Sequence, residues 1–153
     1  MSSGLQVYER IKRHLRDRDL KFNTHDEDLT ITLIAQGDDL PQPTIIHVID
    51  RVSVVQIVSP IPGKIPEDKR MEAAVALAIA NWGMINGSFE LDMSDGEIRF
   101  KIAQSYDGTE LNEEIMDYML GITFVTTDKF NDKFFALGMG LMSLEQFIQK
   151  VSE

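Results

Sequence analysis

The stretch FELDMSDGEIRF, residues 89–100, leaves the chain little conformational freedom. Apolar and ionic side chains alternate on both sides of Asp95-Gly96, and a period of two is the mark of a half-buried strand. Asp-Gly between two such runs is a strong signal for a two-residue hairpin turn. A fold-back centred there pairs Met93 with Ile98, Leu91 with Phe100 and Phe89 with Ile102 on one face. The other face sets Asp92 against Arg99 and Glu90 against Lys101. Opposed pairs of this kind contribute roughly 0.2–1 kcal/mol each. A slip of one residue would set apolar groups against charged ones. The same acids invite comparison with a calcium loop, D-x-[DN]-x-[DN]-G closed by a glutamate. Counted from Asp92, the glycine falls at the fifth place instead of the sixth, position 94 is serine, and strands flank the loop. The acids are read as setting register, and no metal ligand is assigned.

The flanking sequence supplies partners for this hairpin. Leu5, Tyr8, Ile11 and Leu15 recur at spacings of three and four, which predicts a helix over about 4–17. After the extended piece LKFNTH, three runs rich in β-branched residues, 29–37, 44–50 and 52–59, read as consecutive strands. DDLPQP and Asp50-Arg51 supply the turns between them. Ile45, Ile46, Val48 and Ile49 are apolar on both faces, which predicts a central strand covered on both sides. Pro66 followed by Glu67 and Asp68 opens a helix that runs to about Met84. Met71, Val75, Ala78 and Trp82 mark one apolar face of it, and its alanines permit close approach by another element. Asn112 caps a long helix whose stripe is Ile115, Met119, Ile122, Thr126, Phe130, Phe134 and Leu137. A kink is expected at Gly121 or at the β-branched ITFVTT. GMG at 138–140 interrupts that helix, and Ser143 with Gln146 forms a capping box for a last short one. The whole reads as a single α+β domain over residues 1–153. It is an antiparallel sheet with helices packed on it, in the order α-β-β-β-α-β-β-α.

Composition narrows the chemistry. There are no cysteines, which excludes disulfides, thiol catalysis and zinc–thiolate sites. The formal net charge is −10, a surface that repels nucleic acid and suits a basic partner. Residues 1–22 carry six bases and three acids, leaving nine and 22 of the chain's 15 bases and 25 acids for the rest. A basic first helix therefore precedes an acidic body, with Arg10, Lys12, Arg13 and Arg16 as the candidate basic surface. The three histidines, His14, His25 and His47, have no i, i+4 pairing and no HExxH motif. No Walker loop, GxGxxG or GxSxG occurs. No catalytic, cofactor-binding or metal-binding residue is assigned. Met116, Met119, Met139 and Met142 form a soft C-terminal group suited either to core filling or to partner binding. No apolar run reaches the roughly 18 residues of a membrane span, and residues 1–19 lack the apolar core of a signal peptide, so a cytoplasmic address is expected.

One set of residues carries a family likeness. A helix ending at Asn81-Trp82 is followed by Gly87 and by Phe89, Leu91, Asp92, Asp95, Gly96, Ile98 and Arg99, an F-x-L-D…DG-x-[IV]-R hairpin. Over about 67–104 this resembles the YbjN family, proposed bacterial sensory transduction regulators, and the element order is similar to the type III secretion chaperone-like fold. The resemblance implies a binding or regulatory role without catalytic residues. It also implies the habit of small, acidic, commonly dimeric chaperones that hold extended segments of a partner.

Three readings remain open. The first is a non-enzymatic protein-binding or regulatory module, chaperone-like and homodimeric, whose partners are itself and an unidentified protein or peptide. The second is an enzyme whose acids and histidines converge only on folding. The third is a nucleic-acid-linked regulator acting through the basic first helix.

Overall fold

The computed structural model describes residues 2–153. Helix α1 (Gly4–Asp17) opens on a Ser3 capping box with Gln6 and leads into strands β1 (Asn23–His25), β2 (Thr30–Gln36), β3 (Pro41–Ile49) and β4 (Val54–Pro60). Helix α2 (Arg70–Trp82) follows, then β5 (Ser88–Leu91), β6 (Ile98–Ser105), α3 (Glu113–Gly138) and α4 (Leu144–Val151). The strands form one antiparallel sheet in the order β1-β2-β3-β4-β6-β5. Among the described residues no helix is long and apolar enough to cross a membrane.

One face of the sheet is buried under helices. Tyr8, Ile11 and Leu15 of α1 are buried, as are Ile31, Ile46 and Val48 on the strands. At the other end an aromatic cluster joins sheet to helices: Phe89 meets Phe100, Phe130 and Phe134 edge-on at 5.5, 5.4 and 4.9 Å, and Phe134 lies 5.1 Å from Phe147 of α4. Ring geometry of this kind adds to the burial of area. On the opposite face, Thr32, Ile45, His47, Gln56 and Lys101 are only half-buried and Ile34 is exposed. The expectation that β3 is covered on both sides therefore fails: β3 is central in the sheet, and its second face is half open.

The fold-back at 89–100 exists, with the predicted faces and a different register. Phe89 pairs with Phe100, Glu90 with Arg99 and Leu91 with Ile98, two residues away from the expected pairing. A shift of two keeps every side chain on its face, because the side-chain period is two. The connection is accordingly six residues long, 92–97, closed by Asp92 N–H to Glu97 O at 2.8 Å and Gly96 N–H to Asp92 O at 2.7 Å. Contacts from Lys64, Ile65 and the first residue of α2 hold it in place. Ile65 N–H donates to Gly96 O at 2.8 Å, Arg70 donates to Met93 O at 3.2 Å, and Lys64 meets Asp95 at 2.8 Å. Gly96 has φ +84°, and a Cβ there would lie 2.1 Å from Ile65 O, so both conformation and contact require glycine.

Three further differences follow. LKFNTH contains the short edge strand β1. Residues 67–69 form a single tight turn before α2 begins. Helix α3 runs for 26 residues without a break at Gly121, its backbone continuous through the β-branched stretch. The structure also decides which helix faces are buried. Helix α2 buries Ala73, Ala76, Leu77 and Ala80 and turns Met71, Val75, Ala78 and Trp82 to solvent. In the middle of α3, Thr123, Thr127 and Asn131 face inward, and Ile122 and Thr126 are half-exposed.

Candidate interaction surface

The outward stripe of α2 follows from its composition. A helix packs closely where its side chains are small, so the alanine face lies against β5 and α4, and the bulky apolar residues are left outside. Trp82 is 92% exposed, Met71 73% and Ile85, just past the helix, 100%. Apolar side chains standing singly on a surface are ordinary; a contiguous row of them marks an interaction site. Beside the row lies a groove of about 520 Å³ between the end of α2, the middle of α3 and the end of α4. Ile79, Met84, Ile85, Tyr118, Ile122 and Val125 line it, with Lys129 at one end.

Rigid contacts position this surface. The Asn81 carboxamide accepts from Phe89 N–H at 2.8 Å and donates to Phe89 O at 3.0 Å, so a side chain of α2 occupies the outer edge of β5. An edge strand blocked in this way cannot recruit another strand. On the hairpin, Glu90 is flanked by Arg99 at 2.9 Å and Lys101 at 2.6 Å. Partial burial raises the pKa of the Glu90 carboxyl, and the two cations outweigh burial, holding it below the usual range.

The basic helix is largely tied to its own domain. Arg10 faces Glu110 at 3.5 Å, and Lys12 meets Glu9 at 2.8 Å and Asp26 at 3.7 Å while lying over the Tyr8 ring. Arg13 and Arg16 are exposed, with Arg16 over the Phe22 ring. The Tyr8 hydroxyl donates to Asp26 at 2.7 Å. Burial, then that carboxylate, pushes the hydroxyl pKa up to about 12.

The four methionines do not form one group. Met116 and Met119 are buried in the core, Met142 is half-buried, and Met139 is exposed beyond the end of α3. Twenty residues of helix separate Met119 from Met139, about 30 Å.

The histidines do not converge. His14 is buried on the helix side, its Nε2 2.7 Å from Asp117 Oδ1. His25 and His47 flank Thr30 on the open face of the sheet, two strand spacings or about 10 Å apart. Asp117 also receives Arg18 through Nε at 2.6 Å and Nη2 at 2.7 Å. That guanidinium first, then His14, holds the Asp117 carboxyl below its usual range. The cluster ties α1 to α3. Among the described residues no three acidic or histidine side chains are grouped to hold a metal ion.

Periodicity pointed to the α2 stripe and missed the groove. Tyr118, Gly121 and Val125 carried one usable signal: a glycine in mid-helix beside bulky residues, without a turn to explain it.

No family model matches the sequence, and no curated protein matches it. Solved structures do. YbjN from E. coli, a proposed transcription regulator, aligns with a TM-score of 0.66 at 14% identity, covering 84% of this chain and 91% of that one. A chain of the ExsC–ExsE complex aligns at 0.62 with 12% identity, covering 86% and 97%. A chain of the HopA1–SchA chaperone–effector complex aligns at 0.58 with 9% identity, covering 83% and 94%. At such identities the likeness is one of architecture. The chain has the α+β fold of YbjN and of the type III secretion chaperones.

Proposed function

We propose that this protein is a non-enzymatic protein-binding or regulatory module, one domain over residues 1–153. It pairs with a second copy through α2 and holds a segment of a partner protein. The observation that carries the reading is the outward row of Met71, Val75 and Trp82 on a helix whose small residues face inward. Burial of apolar area is the main driving force of association. A two-fold axis across α2 would cover the same row on both copies, as an isologous interface requires. Two structures of similar fold are complexes, one named as chaperone with effector, which supports a protein partner here. The acidic body suits a basic partner, and a cytoplasmic address fits this reading.

Light scattering tests the pairing. The wild-type chain is expected at twice its 17.3 kDa mass. The double variant Met71→Glu, Trp82→Glu is expected at the single mass, with its thermal melt little changed. Affinity capture with both proteins tests the partner. A wild-type chain that stays monomeric at every concentration and captures the same material as the double variant would sink the reading.

A further inference from the structure

The floor of the groove is an uncovered seam on α3. Tyr118, Ile122 and Val125 line the groove, and Gly121 lies on the solvent side of them; the four stand at i, i+4, i+7 and i+3, the positions that form a hole for one knob of a facing helix. Ile122, Val125, Thr126 and Lys129 repeat the spacing and form a second hole. Both open outward: Gly121, Val125 and Lys129 are exposed. The first is open at its glycine, where a Cβ would meet no atom within 4 Å. A glycine inside a helix costs about 1 kcal/mol against alanine, and no contact of this chain requires it. Gly83, on the opposite wall, also has no atom within 4 Å of a Cβ, and its φ of −87° suits any residue. Both walls are thus cleared for close approach from outside.

The geometry favours a helix over an extended strand. Knob holes accept side chains at helical spacing, whereas strand addition needs unpaired main-chain groups, which mid-helix α3 does not offer. Charge sets the direction. Among the described residues Lys129 has no acidic partner, and its ammonium lies 5.4 Å over the Phe130 ring. One turn before Tyr118, the exposed Glu114 has no basic partner among the described residues. The seam therefore runs from a free anion to a free cation over about 22 Å, four helical turns. A helix lying antiparallel to α3 would place its first turn at Lys129 and its last at Glu114. Acids early and bases late also suit that helix's own dipole.

We propose that this groove takes an amphipathic helix of a partner protein, antiparallel to α3, with an acidic first turn over Lys129 and a basic last turn over Glu114. The inference rests on the protein-binding reading and adds the chemistry of the partner. The probe is a synthetic 15-residue helix with leucines at heptad spacing, glutamate in its first turn and lysine in its last. Two controls are the same peptide with those charges exchanged and a proline-interrupted version. A fluorescent label on the peptide reports binding by anisotropy, since Trp82 belongs to the pairing row and does not line the groove. The helical peptide should saturate with a rise in anisotropy, and exchanging its charges should weaken it about fivefold. Gly121→Leu should fill the first hole and weaken binding at least about tenfold, with the thermal melt retained. Lys129→Glu should abolish the preference between the two charged peptides.

Binding of the proline-interrupted peptide as tight as the helical one would overturn the proposal, as would affinity indifferent to Gly121→Leu. A dimer in light scattering that Gly121→Leu dissociates would give the groove to a second copy and overturn it likewise. If the Met71, Trp82 variant loses pairing while the peptide ignores Gly121→Leu, the protein-binding reading stands and the helix assignment falls.

Discussion

The two ends of the sheet treat their helices in opposite ways. At the β1–β3 end, α1 turns Tyr8, Ile11 and Leu15 onto Ile31 and Ile46, and its Arg13, Arg16 and Asp17 face out while Lys12 and His14 are buried against acidic partners. At the β5–β6 end, α2 turns alanines in and Met71, Val75 and Trp82 out, and the middle of α3 buries Thr123, Thr127 and Asn131. The first arrangement closes its apolar face within the chain. The second leaves an apolar row uncovered and puts polar side chains in the middle of α3 inward; buried polar atoms without a hydrogen-bond partner occur at both, Arg10 Nη1 and His14 Nδ1 on α1 and Thr127 Oγ1 and Asn131 Nδ2 on α3. Sequences gain stability where local pattern and burial agree, and departures from that agreement collect where function lies. The α2–α3 end is thus the one shaped for something beyond folding.

Substitutions can break that contrast, most strongly in the core. Leu15→Ala, at the self-contained end, should lower unfolding stability by about 2–5 kcal/mol in urea titration, whereas Trp82→Ser should stay within about 0.5 kcal/mol in the separated chain. Equal losses at both sites would erase the distinction. Gly96→Ala should cost about 2 kcal/mol or more, since the left-handed conformation and the Ile65 carbonyl both oppose a Cβ. Asn81→Ala should cost about 1–3 kcal/mol by unpairing the main chain of Phe89, and should raise aggregation measured by turbidity. In the opposite direction, Gly121→Ala should add about 1 kcal/mol, and Thr127→Val should also stabilise by removing a buried unpaired hydroxyl. Stabilisation together with weaker peptide binding by Gly121→Ala would tie the glycine to the groove.

The smallest effect expected is electrostatic. The Asp117 pKa is depressed in the folded chain, so its contribution is present above the unfolded value, about 4, and fades as pH falls through the lower folded value. Melting temperature followed from pH 5 down to pH 2, each about one unit apart, should fall less steeply for Asp117→Asn than for the wild type. Parallel profiles would remove the Asp117 cluster from the acid limb.

Much of this architecture was legible, and the failures share a cause. The α1 stripe held at Tyr8, Ile11 and Leu15, whose partners lie in the same chain, and failed at Leu5, which is exposed in the first turn. On α2 the same periodicity found a true face, Met71 to Trp82, without saying which way it turns. A repeat shows that one face differs from another, not which of them is covered. The hairpin faces were right because alternation fixes parity. Its register was not, because Ile65, Lys64 and Arg70 hold the loop from about 30 residues away, out of reach of any local pattern. For Met116 and Met119 residue type left core filling and partner binding both open, and position on α3 makes them core. The groove needed three elements to converge, which no local pattern reports; Gly121 beside it was the nearest hint.

Asn81 has a consequence for assembly. With the Phe89 main chain already occupied by that carboxamide, the sheet can be lengthened at β1 alone, where every residue is exposed. A layer with two receptive borders can propagate copy after copy into a fibre; one with a single receptive border joins once and is finished. The same carboxamide that fastens α2 to the sheet therefore also caps the size of anything built by main-chain pairing.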